Sequence, residues 1–189
     1  MRTELKELQR RTGITFVYVT HDQAEALALS DHVAVMNLGR LQQYGTPFEV
    51  YAHPKNRMVA DFMGLVNLLP GRVRSLANGG GTVELAPELI VRVAVLDGLS
   101  PGDGVDVAIR PENVRLAPPA GTAGAVAKIT NHVFLGNISE YYARLPSGPV
   151  LRVQTHPLQH FKVGDEVAVE VDATQCSVFR HTSADAKAE

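Results

Sequence analysis

The spacing of hydrophobic residues changes character near Gly64. Before it, segments with apolar residues three or four apart alternate with compact apolar runs, as in mixed helix and strand structure. After it, short runs rich in β-branched residues recur with Gly, Pro or Asn between them, as in all-β domains. The pattern predicts an α/β region over residues 1–63 and an all-β region over 64–181.

The first region is predicted to contain a βαβ unit, because one helix lies between two apolar strands. Such a unit implies a parallel, buried pair of strands. Asp22, Thr46 and Asn56 are suited to cap helices, and Pro47 stands at a favoured first helical position. The predicted elements are a helix over 4–11 ended by Gly13, a strand over 15–20, a helix over 22–29, a strand over 32–36, an antiparallel return strand over 40–44, and short helices starting after Thr46 and Asn56, the second running to about Met63.

The second region is predicted to form a small barrel or sandwich of many short strands. Alternation of valine with Glu or Ala over 166–171 indicates one buried face. Asn78-Gly-Gly-Gly is predicted as a hairpin tip, and residues 182–189 as a disordered tail. The predicted strands cover 67–75, 81–85, 89–95, 105–109, 124–134, 138–145, 150–155, 166–171 and 177–179.

Composition narrows the classes of function. The 189 residues are 45% hydrophobic with a formal net charge of −2, which favours neither bulk nucleic-acid binding nor a membrane-surface role. Cys176 is the single cysteine, which fits a reducing compartment. The sequence has no apolar run approaching the ~20 residues of a spanning helix. We therefore expect a soluble, cytoplasmic protein.

His21 is the first candidate for chemistry. It follows the predicted strand over 15–20, at the carboxyl end where open α/β sheets place their ligands. Asp22 and Glu25 behind it have capping-box spacing for the next helix. A histidine at a strand end is more often an ordinary polar residue than a catalyst, so position alone leaves both interpretations open.

The surrounding sequence resembles a known family. The run Val17-Tyr-Val-Thr-His-Asp-Gln-Ala-Glu-Ala-Leu is similar to the switch-histidine region of ABC-transporter ATPase subunits. Gly39-Arg-Leu-Gln-Gln-Tyr-Gly-Thr-Pro looks like the end of that nucleotide-binding domain in importer ATPases. The resemblance implies that residues 1–63 are the C-terminal remnant of such a domain. It also implies that His21 contacts the γ-phosphate of ATP in the intact ATPase.

The second region resembles the transport-associated OB-fold (TOBE) regulatory domain of importer ATPases. Val107-Ala-Ile-Arg-Pro-Glu-Asn-Val looks like its IRPE signature, with Arg110, Pro111 and Glu112, and Phe134-Leu-Gly-Asn carries its Leu135–Gly136 pair. Pro111 should end a strand and start a turn, because it cannot donate a ladder hydrogen bond. Arg110 and Glu112 fit a salt-bridged corner better than a ligand site. Leu135–Gly136 fits a bulge or tight bend.

Three motifs of the intact ATPase are absent from this sequence. No lysine follows a glycine, so a Walker A loop cannot be present, and neither the signature motif nor an apolar run ending in Asp-Glu occurs. ATP and Mg²⁺ are the cofactors of the intact family, and no complete cofactor site is expected here. We expect that the chain is the C-terminal piece of an ATPase and does not hydrolyse ATP by itself.

Metal and nucleic-acid sites are not favoured. His156 and His160 have His-x-x-x-His spacing, but Pro157 argues against the helix that would align them, and no third ligand is evident. Residues 64–189 carry eleven basic and thirteen acidic side chains, without the basic and aromatic stripe of a nucleic-acid-binding barrel. We expect no metal and no nucleic-acid partner.

Two hypotheses follow for the function. In the first, the chain is a regulatory and dimerisation module of an importer ATPase, pairing with a second copy and with membrane permease subunits at the inner face of the plasma membrane. Its cargo would be of the polyamine or iron(III) type, with sugars second. In the second, it is an autonomous barrel that binds small oxyanions.

The apolar run Phe16–Val19 has few local partners, so residues 1–63 are expected to be partly disordered or covered by another copy.

Overall fold

A computed structural model describes residues 2–77, 80–94, 96, 98–119 and 124–181 of the chain. The predicted disordered tail, 182–189, lies outside the described residues, as do residues 78 and 79 of the predicted hairpin tip. The chain divides into two compact units, residues 1–64 and residues 65–189. Each unit has its own hydrophobic core.

The first unit contains four short helices and one hairpin. Thr46 and Glu49 form a complete capping box at the third helix, and Asn56 caps the fourth by accepting from the Val59 N–H. Val33, Val35, Val50, Val59 and Met63 form the small core. The elements are α1 (Arg2–Thr12), α2 (Gln23–Leu29), β1 (Val33–Asn37), β2 (Arg40–Gly45), α3 (Pro47–Ala52) and α4 (Arg57–Phe62), with β1 and β2 paired antiparallel.

The predicted strand over 15–20 is wrong, and with it the parallel βαβ pair. Residues 13–20 form neither helix nor strand, and within the described part of this unit β1 and β2 pair only with each other. Val17 and Val19 are 90% and 91% exposed. β-Branched residues favour extended backbone, but a strand exists only when a neighbouring strand supplies its hydrogen bonds.

The described residues of the second unit form two five-stranded antiparallel sheets. The strands are β3 (Asn67–Ala77), β4 (Gly80–Ala86), β5 (Leu89–Val93), β6 (Gly104–Ile109), β7 (Val114–Ala117), β8 (Ala125–Phe134), β9 (Ser139–Arg144), β10 (Val150–Thr155), β11 (Glu166–Val171) and β12 (Cys176–Arg180). One sheet has the strand order β12-β6-β3-β4-β5 and the other β10-β9-β8-β11-β7.

The second of these sheets curls into an OB-like barrel. Its edge strands β10 and β7 contact each other, which nearly closes the sheet on itself. A bulge between Ile129 and Asn131 bends β8 where it pairs with β9. Inward-facing side chains of both sheets form one continuous core. The predicted all-β barrel is thus confirmed.

Two details differ from the sequence-based expectation. The strand β7 was not predicted; it occupies four residues between the turn at Pro111 and the Pro118-Pro119 pair. Ala168 is fully buried although it alternates with Val167 and Val169. β8 and β7 pair with the two edges of β11, and the burial of Ala168 shows that the second face of the strand is also covered at this position.

Candidate functional site

His21 lies at the bend that leads into α2, and its side chain is exposed. Hydrogen bonds of the residues before and after His21 hold this bend. The Thr20 hydroxyl accepts from the Asp22 N–H at 2.9 Å, and the Asp22 carboxylate accepts from the Glu25 N–H at 3.0 Å. Glu25 also accepts from the Tyr18 hydroxyl at 2.8 Å and from the Thr20 hydroxyl at 3.3 Å. These contacts fix the backbone around an imidazole that faces solvent.

The Glu25 carboxylate changes the pKa of a neighbouring group in this bend. Its hydrogen bond and negative charge raise the pKa of Tyr18, so the phenol keeps its proton and remains a donor. Asp22 places a second carboxylate at the amino end of α2, where the helix dipole favours negative charge. Both acidic groups serve the structure of the bend.

The IRPE residues form the corner after β6. The strand ends at Ile109 and a 3₁₀ turn spans Pro111–Asn113, as predicted from the missing N–H of proline. Arg110 is 6% exposed and its Nη1 donates to the Leu65 carbonyl at 3.1 Å. Glu112 is exposed. The predicted salt-bridged corner between Arg110 and Glu112 stays a prediction.

The Leu135–Gly136 pair lies in the turn between β8 and β9. The Leu135 N–H donates to the Ile138 carbonyl at 2.9 Å, and Gly136 has φ of +86°, in the left-handed region that favours glycine. Leu135 is exposed. This turn joins two barrel strands, whereas Arg110 follows a strand of the other sheet, so the two motifs belong to different parts of the unit.

A charged cluster on β9 and β10 was not predicted from sequence. The Glu140 carboxylate lies 2.8 Å from Arg152 Nε as an ion pair, and accepts hydrogen bonds from the Tyr142 hydroxyl at 2.9 Å and the Gln154 amide at 3.3 Å. Arg152 also lies 5.7 Å from the centre of the Tyr142 ring. These residues meet because β9 and β10 pair with Tyr142 opposite Arg152 and Glu140 opposite Gln154.

Opposing effects act on the pKa of Glu140. Burial raises it, but the contacts from Arg152, Tyr142 and Gln154 together outweigh burial and hold the pKa below its usual value. The same carboxylate raises the pKa values of Tyr142 and Arg152. At neutral pH the cluster therefore contains a carboxylate, a guanidinium and a neutral phenol.

On the inward face of β9, on the other side of the strand from the charged cluster, Tyr141 contacts several residues. Its hydroxyl donates to the Gln159 carbonyl at 2.8 Å and accepts from the Phe161 N–H at 3.3 Å. The His132 ring stacks on it with centroids 4.4 Å apart, and His132 Nε2 lies 3.3 Å from the Ser139 hydroxyl. This fully buried tyrosine ties the segment after β10 to the barrel wall.

The two histidines with metal-ligand spacing are not arranged as ligands. His156 Nδ1 accepts from the Leu158 N–H at 3.3 Å in a local turn, and His160 is exposed. Across the described residues, no group of three or more His, Cys, Asp or Glu side chains is placed to hold a metal ion. In the same residues no helix combines the length and the apolar character needed to cross a membrane.

The chain matches one domain family over part of its length and several known proteins over most of its length. Residues 107–179 match the TOBE domain family. The "Spermidine/putrescine import ATP-binding protein PotA" of Rubrobacter xylanophilus is 39% identical over 184 residues, covering 95% of this chain and 48% of its own length. The protein of the same description from Mesorhizobium japonicum is 35% identical, covering 95% and 50%, respectively. The "Spermidine/putrescine import ATP-binding protein PotA 1" of Pseudomonas aeruginosa is 37% identical, covering 95% and 49%.

Over 95% of its length the chain is similar to ATP-binding subunits of importers. It spans about half the length of the curated relatives it matches. The predicted resemblance of the chain to importer ATPases and to the TOBE domain is thereby confirmed, whereas the roles of the individual site residues stay predictions. Within the chain the TOBE match includes Arg110, the Leu135–Gly136 turn and the Glu140–Arg152 cluster.

One solved structure supports the fold of the second unit, called the β-unit below. The cytoplasmic molybdate-binding protein ModG, in a form with molybdate bound, aligns with a TM-score of 0.55 at 14% sequence identity. The alignment covers 61% of this chain and 96% of that chain. At this identity the similarity concerns the architecture of the barrel.

Proposed function

We propose that this chain provides the C-terminal part of the ATP-binding subunit of a polyamine importer. Relatives named as spermidine/putrescine import proteins are 35% to 39% identical over 95% of the chain, and this observation carries the proposal. The subunit would act at the cytoplasmic face of the membrane with permease subunits and a second copy of itself. ATP and Mg²⁺ would bind in the complete subunit.

In this proposal His21 acts on ATP only within the complete subunit. Catalysis of phosphoryl transfer consists mainly of positioning and charge stabilisation, and an isolated imidazole supplies little of either. The bend supports such a role because its backbone is fixed while the ring faces solvent. The chain alone should release no phosphate from ATP above the level of a His21→Ala variant.

A chimera tests the proposed function directly. Residues 2–181 replace the homologous part of a related spermidine/putrescine import ATP-binding protein in a strain that lacks this subunit. We expect spermidine uptake to be restored, and His21→Ala to lower it at least about a hundredfold, the cost of losing a group that acts in the transition state. Arg92→Ala, an exposed change in β5, is the matched control and should leave uptake unchanged.

The same chimera tests the class of cargo. Paired with polyamine permeases it should restore uptake, whereas paired with permeases of a sugar importer it should not. Equal activity with both would refute the polyamine assignment. A large thermal shift with molybdate or sulfate, with no uptake by any chimera, would favour an autonomous oxyanion-binding barrel instead.

A further inference from the structure

The chain enters the β-unit through residues 65–67, and buried polar side chains hold this entry segment. Arg110 Nη1 donates to the Leu65 carbonyl at 3.1 Å. The guanidinium belongs to a side chain that is almost fully buried. A charged donor on a backbone carbonyl is among the stronger hydrogen bonds in proteins, and here it joins positions 45 residues apart.

Asn67 holds the same segment two residues later. Its Nδ2 donates to the Arg152 carbonyl at 2.8 Å and to the Ile109 carbonyl at 3.2 Å. Its Oδ1 accepts from the Arg152 N–H at 2.7 Å. The amide thus pairs with the backbone of β10 in the way a neighbouring strand would, while the backbone of Asn67 pairs with Ile109 of β6.

We propose that Arg110 and Asn67 form an entry clamp, which fixes the point where the chain joins the barrel. The clamp connects residues 65–67 to the end of β6 and to β10, and so to strands of both sheets. Through Arg152 it continues to Glu140 on β9. The entry segment therefore moves as part of the barrel rather than as a flexible linker.

The residue before the clamp has an unusual backbone conformation. Gly64 has φ of +128°, which residues with a Cβ rarely adopt. Arg110 of the IRPE motif is then a positioning residue for the connection, a role that is independent of the proposed cargo and of ATP.

Local hydrogen exchange on the whole chain tests the clamp. In Arg110→Ala, we expect the amide of Asn67 in β3 and the Arg152 amide, which donates to Asn67 Oδ1, to exchange roughly tenfold to a hundredfold faster, which corresponds to the loss of a charge-assisted hydrogen bond. Amides of β8 and β9 should change less than about threefold. Arg110→Lys, which keeps one charged donor, should restore part of the protection, and Arg92→Ala should have no effect.

Chymotrypsin cleavage gives a second readout. Phe62 and Leu65 are exposed, so their cleavage depends on how often the entry segment opens. Arg110→Ala and Asn67→Asp should speed cleavage there by about tenfold or more; the aspartate keeps the acceptor but removes both donors. Unchanged exchange at Asn67 and Arg152 and unchanged cleavage at 62–67 in the folded variants would overturn the proposal.

A uniform effect would overturn it as well. If exchange rises equally at Asn67, at Arg152 and throughout the barrel, Arg110 serves only general stability of the core. Should Arg110→Ala fail to fold, Arg110→Lys and Asn67→Asp decide the question by the same comparison. Faster exchange confined to these two amides in either variant supports the clamp.

Discussion

Replacing Glu140 by glutamine removes the charge at the centre of the β9–β10 cluster and keeps its shape. Glutamine can still accept from Tyr142 or Gln154, but it cannot neutralise Arg152. The Glu140 side chain is 4% exposed, and that of Arg152 is 33% exposed. The change therefore leaves a half-buried guanidinium without its counter-charge.

The burial of the two side chains sets how much the free energy of unfolding should fall in Glu140→Gln. Removing one partner of a fully buried ion pair costs about 3–5 kcal/mol. Water reaches Arg152 and recovers part of this, so we expect a loss of about 2 kcal/mol in the free energy of unfolding at pH 7. The exposed pair of Arg74 and Glu84 in the other sheet is the matched control, and Glu84→Gln should cost less than about 1 kcal/mol.

The pH dependence has a definite sign. The pKa of Glu140 in the folded chain lies below its ordinary value of 4.5. A depressed pKa contributes stability that is complete above pH 4.5 and is lost as the pH falls through the folded value. The difference between the parent chain and Glu140→Gln should therefore be largest near neutrality and disappear in acid.

Urea unfolding followed by far-ultraviolet circular dichroism measures both quantities. It should be run on the parent chain, Glu140→Gln, Arg152→Gln and the double variant, from pH 7 down to about pH 3. The double-mutant cycle should give a coupling of about 1–2 kcal/mol at pH 7. A loss below about 0.5 kcal/mol at pH 7, or an equal loss at every pH, would refute the electrostatic account of the cluster.

Two further predictions concern buried groups of the same unit. Tyr141→Phe removes the hydroxyl that pairs with Gln159 and Phe161, so it should lower the free energy of unfolding by about 1–3 kcal/mol; a change within 0.5 kcal/mol in urea unfolding would contradict this. Burial raises the pKa of Cys176 to about 12, so its reaction with iodoacetamide at pH 8 should be roughly a hundredfold to a thousandfold slower in the native than in the urea-unfolded chain. Native rates within tenfold of the unfolded rate would show that the thiol is accessible.

Local chemistry made most elements of the chain predictable. The caps at Asp22, Thr46 and Asn56, and the strand end at Pro111, depend on side chains next to them in sequence, and all four are present. The strand over 15–20 failed because β propensity says nothing about a pairing partner. The strand β7 was missed because four residues between prolines carry too short a pattern.

Contacts that depend on register could not be predicted. Glu140 and Arg152 are twelve residues apart and meet only because β9 and β10 pair in one particular alignment. The contact of Asn67 with Arg152 spans 85 residues and requires the two sheets to be packed. No periodicity within either segment distinguishes these side chains from ordinary exposed polar residues.

The uncovered segment Ile14–Thr20 affects how the isolated chain behaves in solution. Its seven residues combine high β propensity with no charge and no proline, which is the composition of segments that nucleate intermolecular β-pairing. Two copies that meet at this segment can pair their extended backbones as strands, and further copies can add at the edges. Self-association should therefore begin in the segment just before His21. A charged residue in place of Val17 or Val19, which are almost fully exposed, should reduce this self-association.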